Sequence, residues 1–159
     1  MTETETMGAL MQIGYRLRRL FLRAFRIRTR GVKAMVFNAA GELLLVRNSY
    51  GDTGLWVLPG GGVSRRETPG AAAAREVHEE VGLDVLELSP LGTYASAAEG
   101  KRDTIHLFRA VADGPPVADR REVEEARFFP LDALPERVSA ATLRRIAELD
   151  GERRPDGAW

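Results

Sequence analysis

Cysteine is absent from all 159 residues. That excludes disulfides, thiol nucleophiles and thiolate-ligated zinc together, and it fits a reducing compartment. Histidine is scarce: His78 and His106 are the whole supply, too few for a typical zinc site. Net charge is also missing, since 23 basic residues balance 23 acidic ones, which argues against a general nucleic-acid binder. No apolar run approaches the roughly 20 residues that cross a bilayer. The opening MTETETMGALMQIG lacks the basic start and long apolar stretch of a secretory signal. These absences read as a cytoplasmic chain. Its length suits one ordinary domain, and an apolar content of 44% is enough for a core.

The charge that is present is unevenly spread. Between Glu5 and Glu42 there is no acid, yet there are Arg16, Arg18, Arg19, Arg23, Arg26, Arg28, Arg30 and Lys33. Leu10, Ile13, Leu17, Leu20, Phe21 and Ala24 recur at helical spacing, so residues 1–30 read as an extension carrying a basic amphipathic helix. From residue 31 to 150 the pattern changes. VKAMVFN and ELLLVRN flank a short turn, as in a β-hairpin. WVLPGGGV leads into a Pro-Gly turn. VLELSPLGTYAS, TIHLFRAV and EEARFF read as further strands, and AATLRRIAEL as a closing amphipathic helix. Residues 151–159 read as a mobile tail. Strands alternating with two or three helices imply an α/β sandwich around a mixed sheet.

Residues 60 to 83 read GGGVSRRETPGAAAAREVHEEVGL. Thr68 is a natural N-cap, Pro69 a natural first helical residue and Gly82 a natural stop. On a helix at 100° per residue, Ala73, Ala74, Val77 and Val81 form an apolar stripe. Glu76, Glu79 and Glu80 crowd the rim of that stripe, with Arg75 one turn before Glu79. Like charges at this spacing repel by a few tenths of a kcal/mol per pair, and partial burial raises each neighbour's pKa unless a cation intervenes. Carboxylates without His or Cys suit a hard cation, Mg2+ or Mn2+, better than zinc. Gly60, Gly61 and Gly62 let main chain approach a metal or phosphate.

Gly61, Glu67, Arg75-Glu76-Val77, Glu79-Glu80 and Gly82-Leu83 fill every fixed position of the signature G-x5-E-x7-R-E-U-x-E-E-x-G-U, with U aliphatic. The stretch therefore resembles the Nudix hydrolase family. LWVLPGGGV and EVEEARFFPLDALP extend the likeness over most of the chain after Gly31. The resemblance implies an α/β/α sandwich around a mixed sheet, and hydrolysis of a nucleoside diphosphate linked to another moiety. It implies that Glu79 and Glu80 hold Mg2+ or Mn2+, with Glu76 a further ligand or the base and a carbonyl of Gly60 or Gly61 completing the shell. Glu67 and Arg75 brace the loop, and Glu122 is an added ligand or base, a role for which Glu124 and Glu125 compete. The alternative it allows is a Nudix domain that binds a nucleotide-type ligand without turning it over.

Substrate contacts fall outside the signature. Arg47 is placed to grip a phosphate, and Tyr50 or Tyr94 to stack a base. Lys101 and Arg102 are further candidates, whereas Trp56 reads as core. His78 reads as exposed and His106 as a strand residue. The basic helix has three readings: packing on the domain or on a second copy in a homodimer, contact with a membrane surface through residues 10–30, and steering of polyphosphates.

Overall fold

The computed structural model describes residues 28–96 and 102–159. The apolar pattern of the expected amphipathic helix, Leu10 to Ala24, and the candidate Lys101 lie outside the described residues. Strand β1 (Arg28–Phe37) begins inside the segment read as extension, so Arg28, Thr29 and Arg30 belong to the sheet.

The hairpin expected around Ala39-Ala40-Gly41 forms. β1 and β2 (Leu43–Asn48) run antiparallel with Phe37 opposite Leu43. Asn38 Oδ1 accepts the backbone N–H groups of Ala40 and Glu42 at 3.0 and 2.9 Å, and Gly41 takes the positive φ that the turn requires. β2 then pairs with the short β3 (Trp56–Val57) on one edge and with β6 (Val123–Phe129) on the other. β1 pairs in parallel with β5 (Arg102–Ala112), and β5 pairs antiparallel with the edge strand β4 (Val85–Ser96). Pro90 has no N–H for the ladder; it sits on this edge strand, where the pairing register shifts between Pro90 and Gly92.

Alternation along the strands separates two cores. Ala34 and Val36 of β1 and Leu44 and Val46 of β2 pack with Val77, Val81 and Leu83 around helix α1 (Pro69–Val81). Met35, Phe37, Leu43 and Leu45 point the other way, toward Ile146 of helix α2 (Ala140–Leu149). The result is the expected α/β/α sandwich around a mixed sheet. Among the described residues no helix is long and apolar enough to cross a membrane.

Two expectations need correction. The buried side of α1 comprises Ala72, Ala73, Val77, Glu80 and Val81, so Ala74 is off the stripe and a glutamate is on it. The tail is docked: Ala95 N–H donates to Gly157 O at 2.7 Å and Trp159 N–H to Ala95 O at 2.9 Å. The reason lies in α2. Arg145, only 1% exposed, donates to Ala158 O at 2.9 Å and to Glu148 at 2.8 Å, and its guanidinium lies 3.9 Å from the Tyr94 ring centroid.

Candidate active site

The Pro-Gly stretch is positioned by β1. It lies along the edge of that strand not used by β5: Ala34 N–H donates to Pro59 O at 3.0 Å, Val32 N–H to Gly61 O at 2.9 Å, and Val63 N–H to Arg30 O at 2.9 Å. Gly60 has φ of +136°, and a Cβ there would stand 2.2 Å from Val32 O. At Gly61 a Cβ would meet the Glu76 carboxylate at 2.6 Å. Gly60 needs glycine for its backbone conformation and for room against β1, whereas a side chain at Gly61 would displace the Glu76 carboxylate.

Helix α1 brings its glutamates to this turn. Thr68 Oγ1 accepts Ala71 N–H at 3.2 Å, Pro69 opens the helix, and Gly82 closes it with φ of +68°. Glu80, 8% exposed, accepts Gly60 N–H on Oε2 at 3.0 Å. Its carboxyl is pushed up to about 7, by burial first and then by Glu76 and Glu122, against the pull of Lys33 and the Gly60 hydrogen bond. Burial raises Glu76 too, opposed by Arg75. Glu79 is more exposed and pairs with Arg75 at 2.9 Å.

Arg75 ties the set together. Its guanidinium donates to both carboxylate oxygens of Glu67 (2.8 and 3.0 Å), to Glu76 and Glu79 (2.9 Å each) and to Gly62 O (3.0 Å). Glu67 also accepts Ser64 N–H at 3.1 Å. The hydrogen bonds from Arg75, then that from Ser64, hold the Glu67 carboxyl down at about 2.

The facing wall is the loop before β6. Val117 N–H and Asp119 N–H donate to Val81 O and Glu80 O, so the loop hangs from the end of α1. Asp119 Oδ1 then accepts the N–H groups of Arg121 (3.0 Å), Glu122 (3.0 Å) and Val123 (2.9 Å). Arg120 takes a positive φ of 60° within that turn. Between the walls is a cavity of about 590 Å3, lined by Arg75, Glu76, Glu79, Glu80, Asp119, Arg121 and Glu122. Sequence reasoning missed Asp119 and Arg121. An Asp followed by a turn into a strand was the available signal for the first, whereas the second has none.

The acidic lining of this cavity offers only hard oxygen donors, and the missing Cβ of Gly61 lets the Glu76 carboxylate lie against the turn, so the set fits a hard divalent cation. Among the described residues no three acidic or histidine side chains are already gathered as a metal cage. Arg75 engages Glu76 and Glu79, and the Gly60 N–H engages Glu80. The carbonyl of Gly61 accepts Val32 N–H and that of Gly60 accepts Lys33, each with one lone pair left over.

Other candidates lie elsewhere. Tyr94 is 5% exposed in the core of the α2 face, with its hydroxyl donating to Glu148 at 2.9 Å and its ring edge-on to Trp159. It is not available to stack a base, because α2 and the docked tail cover it. Arg47 pairs with Glu125 and lies 5.3 Å from the Trp56 ring centroid, away from the cavity lining. Tyr50 is half-buried in the loop after β2 and is not part of that lining. Of the three late glutamates, Glu122 alone lines the cavity; Glu125 is held by Arg47, and Glu124 is 3.9 Å from Arg120. Trp56 is core, His78 is exposed and bonded to Asp84, and His106 lies in β5.

Residues 27–149 match the family model described as the NUDIX domain. An uncharacterized Nudix hydrolase of Pseudomonas aeruginosa is 36% identical over 104 residues, 63% of this chain and 62% of that protein, so the match spans less than two thirds of that relative. A putative 8-oxo-dGTP diphosphatase of Bacillus subtilis is 34% identical over 116 residues, covering 69% of this chain and 74% of its own. The crystal structure of a MutT NUDIX hydrolase from Burkholderia pseudomallei superposes with a TM-score of 0.66 at 29% identity, over 76% of this chain and 95% of that one. With more than half its length matched by the family model and with the full signature folded as a glycine turn, a carboxylate helix and a bracing Arg-Glu pair, the chain belongs to the Nudix hydrolase family.

Proposed function

We propose that this protein is a divalent-metal-dependent pyrophosphohydrolase acting on a nucleoside diphosphate linked to another moiety. The observation that carries the reading is the single cavity faced by Glu76, Glu79, Glu80 and Glu122 beside the Gly60–Gly61 turn. In this reading Glu79 and Glu80 would hold Mg2+ or Mn2+ with a carbonyl of Gly60 or Gly61, and Glu76 would be a further ligand or the base. A cation held by these residues would supply neutralisation of charge on the pyrophosphate oxygens. Arg75 is occupied by Glu67, Glu76, Glu79 and Gly62 O, so its role is to brace. Among the described residues Arg121 is the other cation on the cavity wall, placed to take a phosphate oxygen. A water attacks one phosphorus, its proton passes to a carboxylate of Glu76 or Glu122, and the phosphoanhydride bond breaks to release the second phosphate group.

Because the Bacillus relative is named a putative 8-oxo-dGTP diphosphatase, oxidised nucleoside triphosphates are tested first. The experiment is product release with Mg2+ or Mn2+ across oxidised and ordinary nucleoside triphosphates, ADP-ribose, nucleotide sugars and dinucleoside polyphosphates. Glu79→Gln is run beside the wild type and is expected to lower turnover at least about a thousandfold with the fold intact. Full activity in that variant overturns the assignment. Ligand-induced stabilisation without product would support a binding domain instead.

A further inference from the structure

Neither the Arg75 brace nor the carboxylate set uses Lys33. It stands between Val32 and Ala34, whose side chains pack on the α1 side, so its own side chain leaves β1 from the opposite face. Its Nζ donates to Leu58 O at 2.8 Å and to Gly60 O at 3.0 Å. The N–H of Gly60 is held by Glu80 at 3.0 Å. One glycine therefore has its carbonyl on a cation and its N–H on an anion. Desolvation holds the Lys33 pKa below the ordinary lysine value, with Glu80 and then Glu76 opposing, so the ammonium lies in the field of the site carboxylates.

Two effects of this cation oppose each other. Its charge repels a second cation, and on that ground alone its removal would tighten metal binding. Its hydrogen bonds act the other way. One ammonium pins two carbonyls of a turn whose Gly60 has a backbone conformation that L side chains rarely adopt, and charged donors of this kind are the stronger class of hydrogen bond. Four glutamates line or border the cavity, so one ammonium changes their charge balance only in part.

We infer that Lys33 is a positioning residue for the metal site: its ammonium clamps the Leu58 and Gly60 carbonyls and so holds the turn, and Glu80 with it, in the geometry that receives a divalent cation. This deepens the reading of the cavity as a metal site and rests on it.

The test is Mn2+ binding, followed by the electron paramagnetic resonance signal of the free ion, for wild type, Lys33→Met, Lys33→Arg and Glu80→Gln. Thermal unfolding in a chelator verifies each fold. Lys33→Met should bind Mn2+ about tenfold more weakly or worse, equivalent to about 1.4 kcal/mol. Lys33→Arg keeps donors for both carbonyls and should recover most of that loss. Equal or tighter binding by Lys33→Met overturns the inference, as does an arginine variant no better than the methionine one. Absence of Mn2+ binding by the wild type, or unchanged binding by Glu80→Gln, would instead bring down the metal-site reading itself. Should Lys33→Met fail to fold, the wild-type Lys33 15Nζ resonance decides. Slow exchange with water and a shift on adding Mg2+ support the clamp, whereas exchange at the rate of a solvated lysine, or no response to Mg2+, overturns it.

Discussion

Burial pushes the Glu80 carboxyl up to about 7, whereas Arg75 holds that of Glu67 down at about 2. The two therefore act on stability in different pH windows and with different signs. Folded Glu80 keeps its proton above the ordinary value of 4.5, so the unfolded chain releases it first. Its contribution is most favourable below about 4.5 and is lost as pH rises toward about 7, a loss on the order of 3 kcal/mol. Glu67 stabilises above 4.5 and loses that contribution as pH falls toward about 2. In chelator, thermal unfolding across pH 4 to 8 should show Glu80→Gln more stable than wild type at neutral pH, with the gap closing near pH 4.5. A constant gap would refute the assignment of this strain to Glu80. Gly60→Ala is expected to destabilise by at least about 2 kcal/mol, since the new Cβ meets Val32 O at 2.2 Å in a left-handed backbone region. Denaturant titration measures it.

Two segments line the cavity, helix α1 and the loop before β6, and each is organised by one side chain. Thr68 caps α1, the helix that bears Glu76, Glu79 and Glu80. Thr68→Ala should cost about 1 kcal/mol by chemical denaturation, with little effect on metal affinity, because Gly82 and the apolar stripe still seat the helix. Asp119 organises the opposite loop through three backbone N–H groups. Asp119→Ala removes all three bonds, of which only that from Val123 N–H is part-buried, and should cost about 1 kcal/mol. It should also lower turnover far more than Thr68→Ala does, because it releases Glu122 and Arg121 from the cavity wall. Equal losses of turnover in the two variants would show that the loop's order does not matter to catalysis.

At the scale of the whole molecule, the sheet separates the cavity from a second buried polar group, and Lys33 reaches the Gly60 turn from the strand face opposite α1. The α1 side carries the cavity, and the α2 side carries the buried Arg145–Glu148–Tyr94 group and the docked tail. Arg145→Met leaves Glu148 buried without its closest cation and is expected to cost roughly 3–5 kcal/mol. Mn2+ affinity should stay within about twofold, since the sheet lies between; a parallel loss of affinity would show that the faces are coupled. The division explains what could be read in advance. The glycine turn, the ends of α1, the apolar runs that become strands and the pairing of Glu67 with Arg75 were legible in the sequence, because each rests on local propensity or on fixed spacing within one short segment. Tyr94 and Arg47 looked equally suited to a ligand, since an aromatic or arginine near a strand end has the same local signature in a pocket or a core. Only packing decides between them: α2 and the tail cover Tyr94, and Glu125 from a distant strand captures Arg47. Likewise, Asp119 and Arg121 join the cavity because the loop hangs from Val81 and Glu80, and Lys33 meets Gly60 across 27 residues of chain. By itself, the sequence determined the family and the carboxylate helix. The tertiary structure alone decided which distant side chains face that helix and which are buried behind the sheet, because those contacts arise from chain closure between segments whose local patterns carry no record of each other.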